Sequence, residues 1–154
     1  MADIGGCIVV AKTFNELAMQ TVEPNKPQFA IVKSDDDSRL VFGWASVAVR
    51  ATGEIIEDLQ NDILEIAVLE KAVYDYVLNF GTAGEMHKKA DVGRLVESVV
   101  FTKEKAAAMG IPEGYLPEGW WIGYFIKDDD VWKKIKDGSY SAFSIEGTAQ
   151  RVEI

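Results

Sequence analysis

Hydrophobic residues along this chain follow two different periods. Leu40 to Val49 and Trp120 to Ile126 carry apolar side chains at both odd and even positions, which predicts central strands covered on both faces. From Ile66 to Phe80 apolar residues recur every three to four positions, which predicts an amphipathic helix. Gly81 directly follows and suits the C-terminal cap of that helix. The pattern therefore predicts a long helix between two buried strands.

Weaker patterns fill the second half of the chain. Thr102 is a candidate N-cap for a short helix that ends at Gly110. Asp128 to Asp137 begins with acids and ends with lysines, which matches the dipole of a helix. The segment from Gly81 to Gly93 holds three glycines and predicts a mobile loop. Further strands are predicted at 29–33, 95–101 and about 140–149.

The order of these elements predicts the fold class. Residues 1–27 contain Gly5-Gly6 and two prolines, which predicts a loosely packed N-terminal arm with at most a short helix at 13–19. Residues 28–154 then form a single domain. Because strands and helices do not alternate regularly, we expect an α+β domain with a mostly antiparallel sheet, curved or closed into a barrel, with helices around it.

Composition narrows the classes of function. The 154 residues suit one domain, and 25 acidic against 16 basic residues give a net charge of -9, which argues against nucleic acid as a partner. No apolar run approaches the ~20 residues of a membrane span, and the N-terminus lacks the basic start of a secretory signal. Cys7 is the only cysteine, so we expect no internal disulfide, no cysteine-based metal site and an intracellular protein. We also expect no cofactor.

Ser144 is the first residue that could carry chemistry. In a strand from Tyr140 onward, Phe143 and Ile145 share one face, which should be the core. Ser144 and Glu146 share the other face, so the serine is presented between apolar anchors. On the pattern alone, a solvent-facing strand serine without a catalytic role is the simpler interpretation.

His87 is the only histidine, so any imidazole chemistry must come from it. It lies in a glycine-containing segment, where an exposed surface histidine is the simpler interpretation. A single histidine also makes a structural zinc site improbable, because such sites take four ligands.

Glu97 breaks the apolar pattern of its predicted strand. It shares a face with Leu95, Val99 and Phe101, and a carboxylate on an apolar face is costly unless it is paired. Three interpretations stay open: Glu97 reaches water at the margin of the sheet, pairs with a structural lysine or arginine, or orients a catalytic histidine.

Several segments of the second half resemble the XkdF-like serine proteases of tailed phages and prophages. The most specific are Val131 to Gly138 and the following Phe143 to Gly147. The likeness extends over roughly residues 28–151, with support from the segments 93–98, 103–110 and 117–123. It implies a prohead maturation protease, similar to the herpesvirus assembly proteases, whose fold is a β-barrel surrounded by helices.

The resemblance also implies residue roles and partners. Ser144 matches the nucleophile and His87 the general base, and the expected substrates are the phage scaffold and major capsid protein, cleaved inside the immature capsid in the host cytoplasm. Related proteases take a third catalytic member from well after the serine, but only ten residues follow Ser144 here. We predict that Glu97 fills this role and that its carboxylate lies nearer the His87 ring than the Glu146 carboxylate does. Glu146 and a residue beyond this chain stay open as alternatives, and so does the oligomeric state.

Two other classes of function compete with the protease hypothesis. The same fold could bind scaffold or capsid protein without cutting it. An acidic inhibitor or DNA mimic is suggested only by the net charge of -9. The distance between Ser144 and His87 separates the enzyme from the binding protein, because a serine hydroxyl needs a base within hydrogen-bond reach.

Overall fold

The computed structural model describes residues 3–11, 31–35, 38–57, 62–86 and 88–148. Of residues 3–11, 31–35, 144 and 146–148 it describes the backbone alone. In chain order the elements are β1 (Asp3–Ala11), β2 (Ile31–Asp35), β3 (Leu40–Val49), α1 (Ile66–Asn79), β4 (Thr82–Glu85), β5 (Lys89–Phe101), α2 (Lys103–Ala108), β6 (Glu118–Ile126), α3 (Asp129–Lys136) and β7 (Ala142–Thr148).

The strands form one sheet in the order β2-β3-β6-β5-β4-β1-β7. Every neighbouring pair is antiparallel except β1 and β4, which run parallel. Residues of β3 and β7 approach within 8 Å between Cα atoms although they are not neighbours in this order, so the sheet curls back towards itself. The predicted α+β class with a curved, mostly antiparallel sheet is confirmed.

The core lies between the curled sheet and α1. The helix buries Leu69 and Tyr76, while β6 buries Trp120, whose ring meets the Tyr76 ring edge-on with 5.5 Å between centroids. The Tyr76 hydroxyl donates to the Thr82 carbonyl at 2.6 Å and thereby ties the end of the helix to β4. Fully burying a side chain such as Leu69 contributes ~1.5–3 kcal/mol, and the Tyr76 hydroxyl connects this packing to the first residue of β4.

Local signals end and begin the helices as predicted. Gly81 has a φ of +61° after α1, and its N–H donates to the Tyr76 carbonyl at 3.0 Å. The Thr102 hydroxyl accepts from the Lys105 N–H at 3.2 Å and caps α2. Asp128 caps α3 by accepting from the N–H groups of Asp130 and Val131.

The predicted mobile loop from Gly81 to Gly93 is wrong, because this segment contains β4 and the start of β5. Gly93 pairs with both Ala83 and Ile126 inside the sheet. A Cβ added to Gly93 would lie 2.6 Å from the Phe125 carbonyl oxygen. This glycine therefore marks a close approach of two backbones, which composition does not distinguish from a flexible loop.

The predicted N-terminal arm also differs from the structure. Within residues 1–27, Asp3–Ala11 forms β1 and lies between β4 and β7 in the sheet. Its apolar stretch is short, so its place was not evident without its two partner strands. The helix suggested at 13–19 falls outside the described residues, and the strand predicted at 29–33 is described as Ile31–Asp35.

Candidate active site

A tight turn joins β4 to β5 next to the predicted base. Glu85 pairs with Lys89 across the hairpin, and the Lys88 N–H donates to the Glu85 carbonyl at 2.9 Å. Met86 adopts the left-handed conformation with a φ of +49°. His87 lies outside the described residues, so the structure gives the positions of its chain neighbours and not of its imidazole.

The pairing of β7, β1 and β4 brings the Ser144 backbone to the end of the sheet where the β4–β5 turn lies. Ser144 on β7 pairs with Val9 on β1, and Val9 pairs with Gly84 on β4. Since neighbouring strands lie ~4.8 Å apart, the backbones of Ser144 and Gly84 are ~10 Å apart. The start of β7 and the turn after β4 therefore lie at the same end of the curled sheet, with β1 between them.

The residues on either side of Ser144 anchor it as predicted. Phe143 is buried, and Ile145 packs against the core. The predicted core face of this strand is thus confirmed, whereas the side chains of Ser144 and Glu146 lie outside the described part. Ser144, His87 and Glu146 remain predictions as site residues.

A serine with a buried side-chain oxygen, Ser141, precedes β7 at the same end of the sheet. The Ser141 side-chain oxygen is buried and has no hydrogen-bond partner among the described residues. It precedes Ser144 by three residues, just before β7 begins. Ser141 is therefore the serine against which the assignment of Ser144 has to be tested.

A glutamate, a lysine and a tyrosine meet beside the turn. The Glu85 carboxylate lies 2.5 Å from the Lys134 ammonium, and the Tyr140 hydroxyl donates to the same carboxylate at 2.7 Å. The Glu85 side chain is only 14% exposed. We call Glu85, Lys134 and Tyr140 the site cluster.

The protonation of the site cluster follows from its hydrogen bonds. The Lys134 ammonium, and after it the Tyr140 hydroxyl, lower the pKa of Glu85. Burial, and after it the bond to Glu85, raise the pKa of Tyr140. Near neutral pH the cluster therefore holds a carboxylate, an ammonium and a protonated phenol, and the carboxylate can only accept hydrogen bonds.

A second connection joins the other strand of the hairpin to α3. The Lys89 ammonium lies 2.5 Å from the carboxylate of Asp128, the residue that caps α3. The backbone N–H groups of Lys127 and Asp128 both donate to the Val92 carbonyl, at 3.0 and 3.2 Å. The two strands that flank the turn are thus each bonded to α3 or to the residues that lead into it.

Glu97 is placed differently from the sequence expectation. A register shift between Leu95 and Glu97 interrupts the alternation of β5, so Glu97 is exposed and does not face the core. Ser98 instead points inward and accepts from the Trp120 indole N–H at 2.9 Å. The expectation of an apolar environment for Glu97 was wrong, and the interpretation in which it reaches water agrees with the structure.

Distance along the strand also argues against Glu97 as the partner of His87. Glu97 follows Lys89 by eight residues, which is ~26 Å of strand contour. The relative distances of Glu97 and Glu146 from the imidazole are untested, because His87 and the Glu146 side chain are not described. The geometry nevertheless does not favour Glu97 as the orienting acid.

Neither a metal centre nor a membrane segment emerges from the described residues. Among them, no group of three or more histidine, cysteine, aspartate or glutamate residues is placed to hold a metal ion. None of their helices is long and apolar enough to cross a membrane.

Local sequence patterns do not reveal the site cluster. Glu85 falls within the predicted loop at 81–93, and Lys134 at the lysine-rich end of the helix predicted at 128–137. One signal was available: Lys134 lies within Val131 to Gly138, one of the segments that most resemble the phage proteases. The separations of 49 and 55 residues between Glu85 and its partners, Lys134 and Tyr140, explain why local patterns did not reveal it.

The structure is an α+β domain whose curled sheet aligns the backbone of Ser144 with that of Gly84 on β4, across β1. The model of the family described as "Putative phage serine protease XkdF" matches residues 28–153, which is most of the chain. The chain belongs to this family.

Comparison with curated proteins and solved structures adds two findings. The chain is similar to "Uncharacterized protein YqbD" of Bacillus subtilis (strain 168), with 26% identity over 140 residues that cover 84% of this chain and 42% of that protein. The chain thus spans less than half the length of this relative. No solved structure matches, so the likeness to herpesvirus assembly proteases stays a prediction.

Proposed function

We propose that this chain is a serine endopeptidase that cleaves scaffold and capsid-protein extensions during maturation of the phage prohead. Its place of action would be the immature capsid in the cytoplasm of the bacterial host. Membership of a family described as a phage serine protease supports the reaction class. The observation that carries the proposal is the register that aligns Ser144 with Gly84 across β1, three residues before His87.

The proposed reaction uses Ser144 as nucleophile and His87 as general base. The Ser144 hydroxyl attacks the carbonyl carbon of the scissile peptide while His87 takes its proton, and His87 then returns the proton to the leaving amine. The resulting acyl-enzyme is hydrolysed when His87 activates a water molecule in the same way. A serine hydroxyl at its ordinary pKa is a weak nucleophile at neutral pH, so the reaction depends on this proton transfer.

Glu146 and Glu97 differ in how well they are placed to be the third catalytic residue. Glu146 follows Ser144 by two residues on the same strand, which places its backbone ~6.5–7 Å away. Glu97 lies far along β5 and faces solvent. Glu146 is therefore the stronger of these two candidates for a group that contacts His87 or the substrate.

Cleavage of the cognate scaffold or capsid protein by matched serine variants tests the proposal. We expect the unmodified protein and Ser141→Ala to cleave, and Ser144→Ala to remain folded and inactive. Ser141 is the control because it lies at the same end of the sheet and its oxygen is buried. Cleavage by folded Ser144→Ala would overturn the nucleophile assignment, and a native protein that binds its partner without cutting it would overturn the enzymatic function.

A further inference from the structure

One carboxylate connects the two parts of the chain that carry the proposed nucleophile and base. Glu85 precedes His87 by two residues, and its partner Tyr140 precedes Ser144 by four. Tyr140 is in turn bonded to α3, because its backbone N–H donates to the Lys134 carbonyl at 2.9 Å. Glu85 therefore contacts both α3 and the segment that leads into β7.

We propose that Glu85 and Lys134 are positioning residues that hold the β4–β5 turn, and through it His87, against the start of β7. The inference deepens the proposed function, since it depends on Ser144 and His87 acting together. Neither residue needs to touch substrate in this role.

Burial explains why the site cluster can act as a rigid support. An ionised carboxylate that is 14% exposed is unfavourable without partners, and both partners of Glu85 bind the same oxygen atom. Removal of one partner leaves the carboxylate incompletely paired, so the three side chains hold their positions together. The separate connection between Lys89 and Asp128 leaves the turn bonded to α3 on both sides.

The chain offers a matched control at the other end of β5. Lys105 on α2 binds the Glu70 carboxylate on α1 and donates to the Tyr74 hydroxyl at 2.7 Å, and Tyr74 donates to Glu70 at 2.7 Å. We call Glu70, Tyr74 and Lys105 the remote cluster. Lys105 also donates to the Val100 carbonyl, eleven residues or ~36 Å of strand contour beyond Lys89.

The single histidine makes the inference measurable without any substrate. His87 gives the only imidazole signal in a proton NMR spectrum, so its pKa is read directly by titration. The charged and titratable groups next to the turn on the elements packed there are Glu85, Lys88, Lys89, Asp128, Asp130, Lys134 and Tyr140. A variant that removes one of these charges is compared with a variant that removes the same charge from the remote cluster.

We expect Glu85→Gln to lower the pKa of His87 and Lys134→Met to raise it. Loss of a negative charge disfavours the imidazolium, and loss of a positive charge favours it. A unit charge ~10 Å away gives a shift of ~0.3 pH units in water without screening, and about a third of that at 0.1 M salt, where the screening length is ~10 Å. Glu70→Gln and Lys105→Met should leave the pKa unchanged in the same buffer, because their charges lie several screening lengths along β5 from the turn.

Kinetics then separate positioning from simple proximity. We expect Lys134→Met to lower kcat at least about tenfold with KM within about twofold, since positioning acts on the reaction geometry and not on substrate binding. Lys134→Arg should restore part of kcat because it keeps the charge, and Lys133→Met, an exposed neighbour on α3, should change neither quantity.

Two results would overturn the inference. If the titration of His87 is identical in the site-cluster and remote-cluster variants, the cluster does not neighbour the base. If the pKa shifts but kcat does not fall in folded Lys134→Met, the cluster is a neighbour without a positioning role. The NMR result holds even if the unmodified protein cleaves nothing, so failure of the proposed function is recognised separately.

Discussion

The site cluster and the remote cluster use the same three residue types at opposite ends of β5. In each, a lysine on a helix binds a glutamate whose carboxylate also accepts from a tyrosine hydroxyl. The acids respond alike, since hydrogen bonds from a lysine and then a tyrosine lower the pKa of both Glu70 and Glu85. The chemistry of the two clusters does not distinguish them.

What differs is the set of elements that each cluster joins. The remote cluster connects α1, α2 and the end of β5, and neither Ser144 nor His87 lies in these three elements. The site cluster connects the β4–β5 turn with α3 and with the segment that leads into β7. The elements that a polar cluster joins, and not its residue types, therefore indicate whether it supports the proposed site. The predictions below test this difference between the two clusters.

The largest effect is expected from the turn beside the site cluster. His87→Ala should lower the rate of cleavage by a factor of about 10²–10⁴, the usual contribution of a general base. In the unmodified protein the rate should rise with pH as the imidazole loses its proton, because the base must be neutral to accept one. A pH–rate profile with and without the substitution checks this, with the neighbouring Lys88→Ala as control.

If the rising limb of that profile persists in His87→Ala, another group is the base. The site cluster would then have no catalytic neighbour to position, and the contrast with the remote cluster would disappear.

A substitution in the hydrophobic core should have the next largest effect. Trp120 is fully buried, packs on Tyr76 and donates to Ser98. Trp120→Ala should lower the free energy of unfolding by ~3–5 kcal/mol. Urea denaturation followed by circular dichroism measures this, and a loss below about 1 kcal/mol would show that Trp120 is not central to the core.

The caps of α2 and α3 give a smaller and sharper test of the comparison. Thr102→Ala and Asp128→Ala should each lower the free energy of unfolding by ~0.5–2 kcal/mol, because each residue accepts from N–H groups at the start of its helix. Only Asp128→Ala should also reduce cleavage at a temperature where both variants are folded, since Asp128 holds Lys89 beside the turn. Equal activities of the two variants would show that α3 has no special relation to the site.

The smallest effect concerns stability in acid. A glutamate whose pKa is lowered by folding contributes stability that is complete above its ordinary value of 4.5 and is lost as the pH falls through the folded pKa. Glu85→Gln and Glu70→Gln should each make stability fall less steeply between pH 5 and 3. Urea midpoints across that range check this, and an unchanged slope in either variant would show that the ion pair does not persist in solution.

Periodicity predicted the elements that build the core. The helix expected from Ile66 to Phe80 is found as Ile66–Asn79, and the strand predicted from Leu40 to Val49 has those same ends. These predictions agree with the structure because each apolar pattern is long and lies entirely within its own segment. The cap predicted at Thr102 agrees with the structure for the same reason, since a cap bonds to residues two or three positions away.

The features that define the site depend on distant residues and were not predictable in this way. Gly93 belongs to a strand because its backbone pairs with Ala83 and Ile126, and the Phe125 carbonyl oxygen leaves no room there for a Cβ. The register shift before Glu97 is set by pairing with β6, and it turns a residue expected to face the core into an exposed one. The resemblance to a protease family, and not periodicity, directed attention to Ser144 and His87.

Labelling with a fluorophosphonate probe, followed by mass mapping of the modified peptide, tests the central claim most directly. The probe reacts with a serine only when a neighbouring base activates its hydroxyl. Our account predicts one adduct on Ser144, which is lost in His87→Ala and retained in Ser141→Ala and Glu70→Gln. An adduct on Ser141, or the absence of any adduct on the folded protein without substitutions, would contradict it.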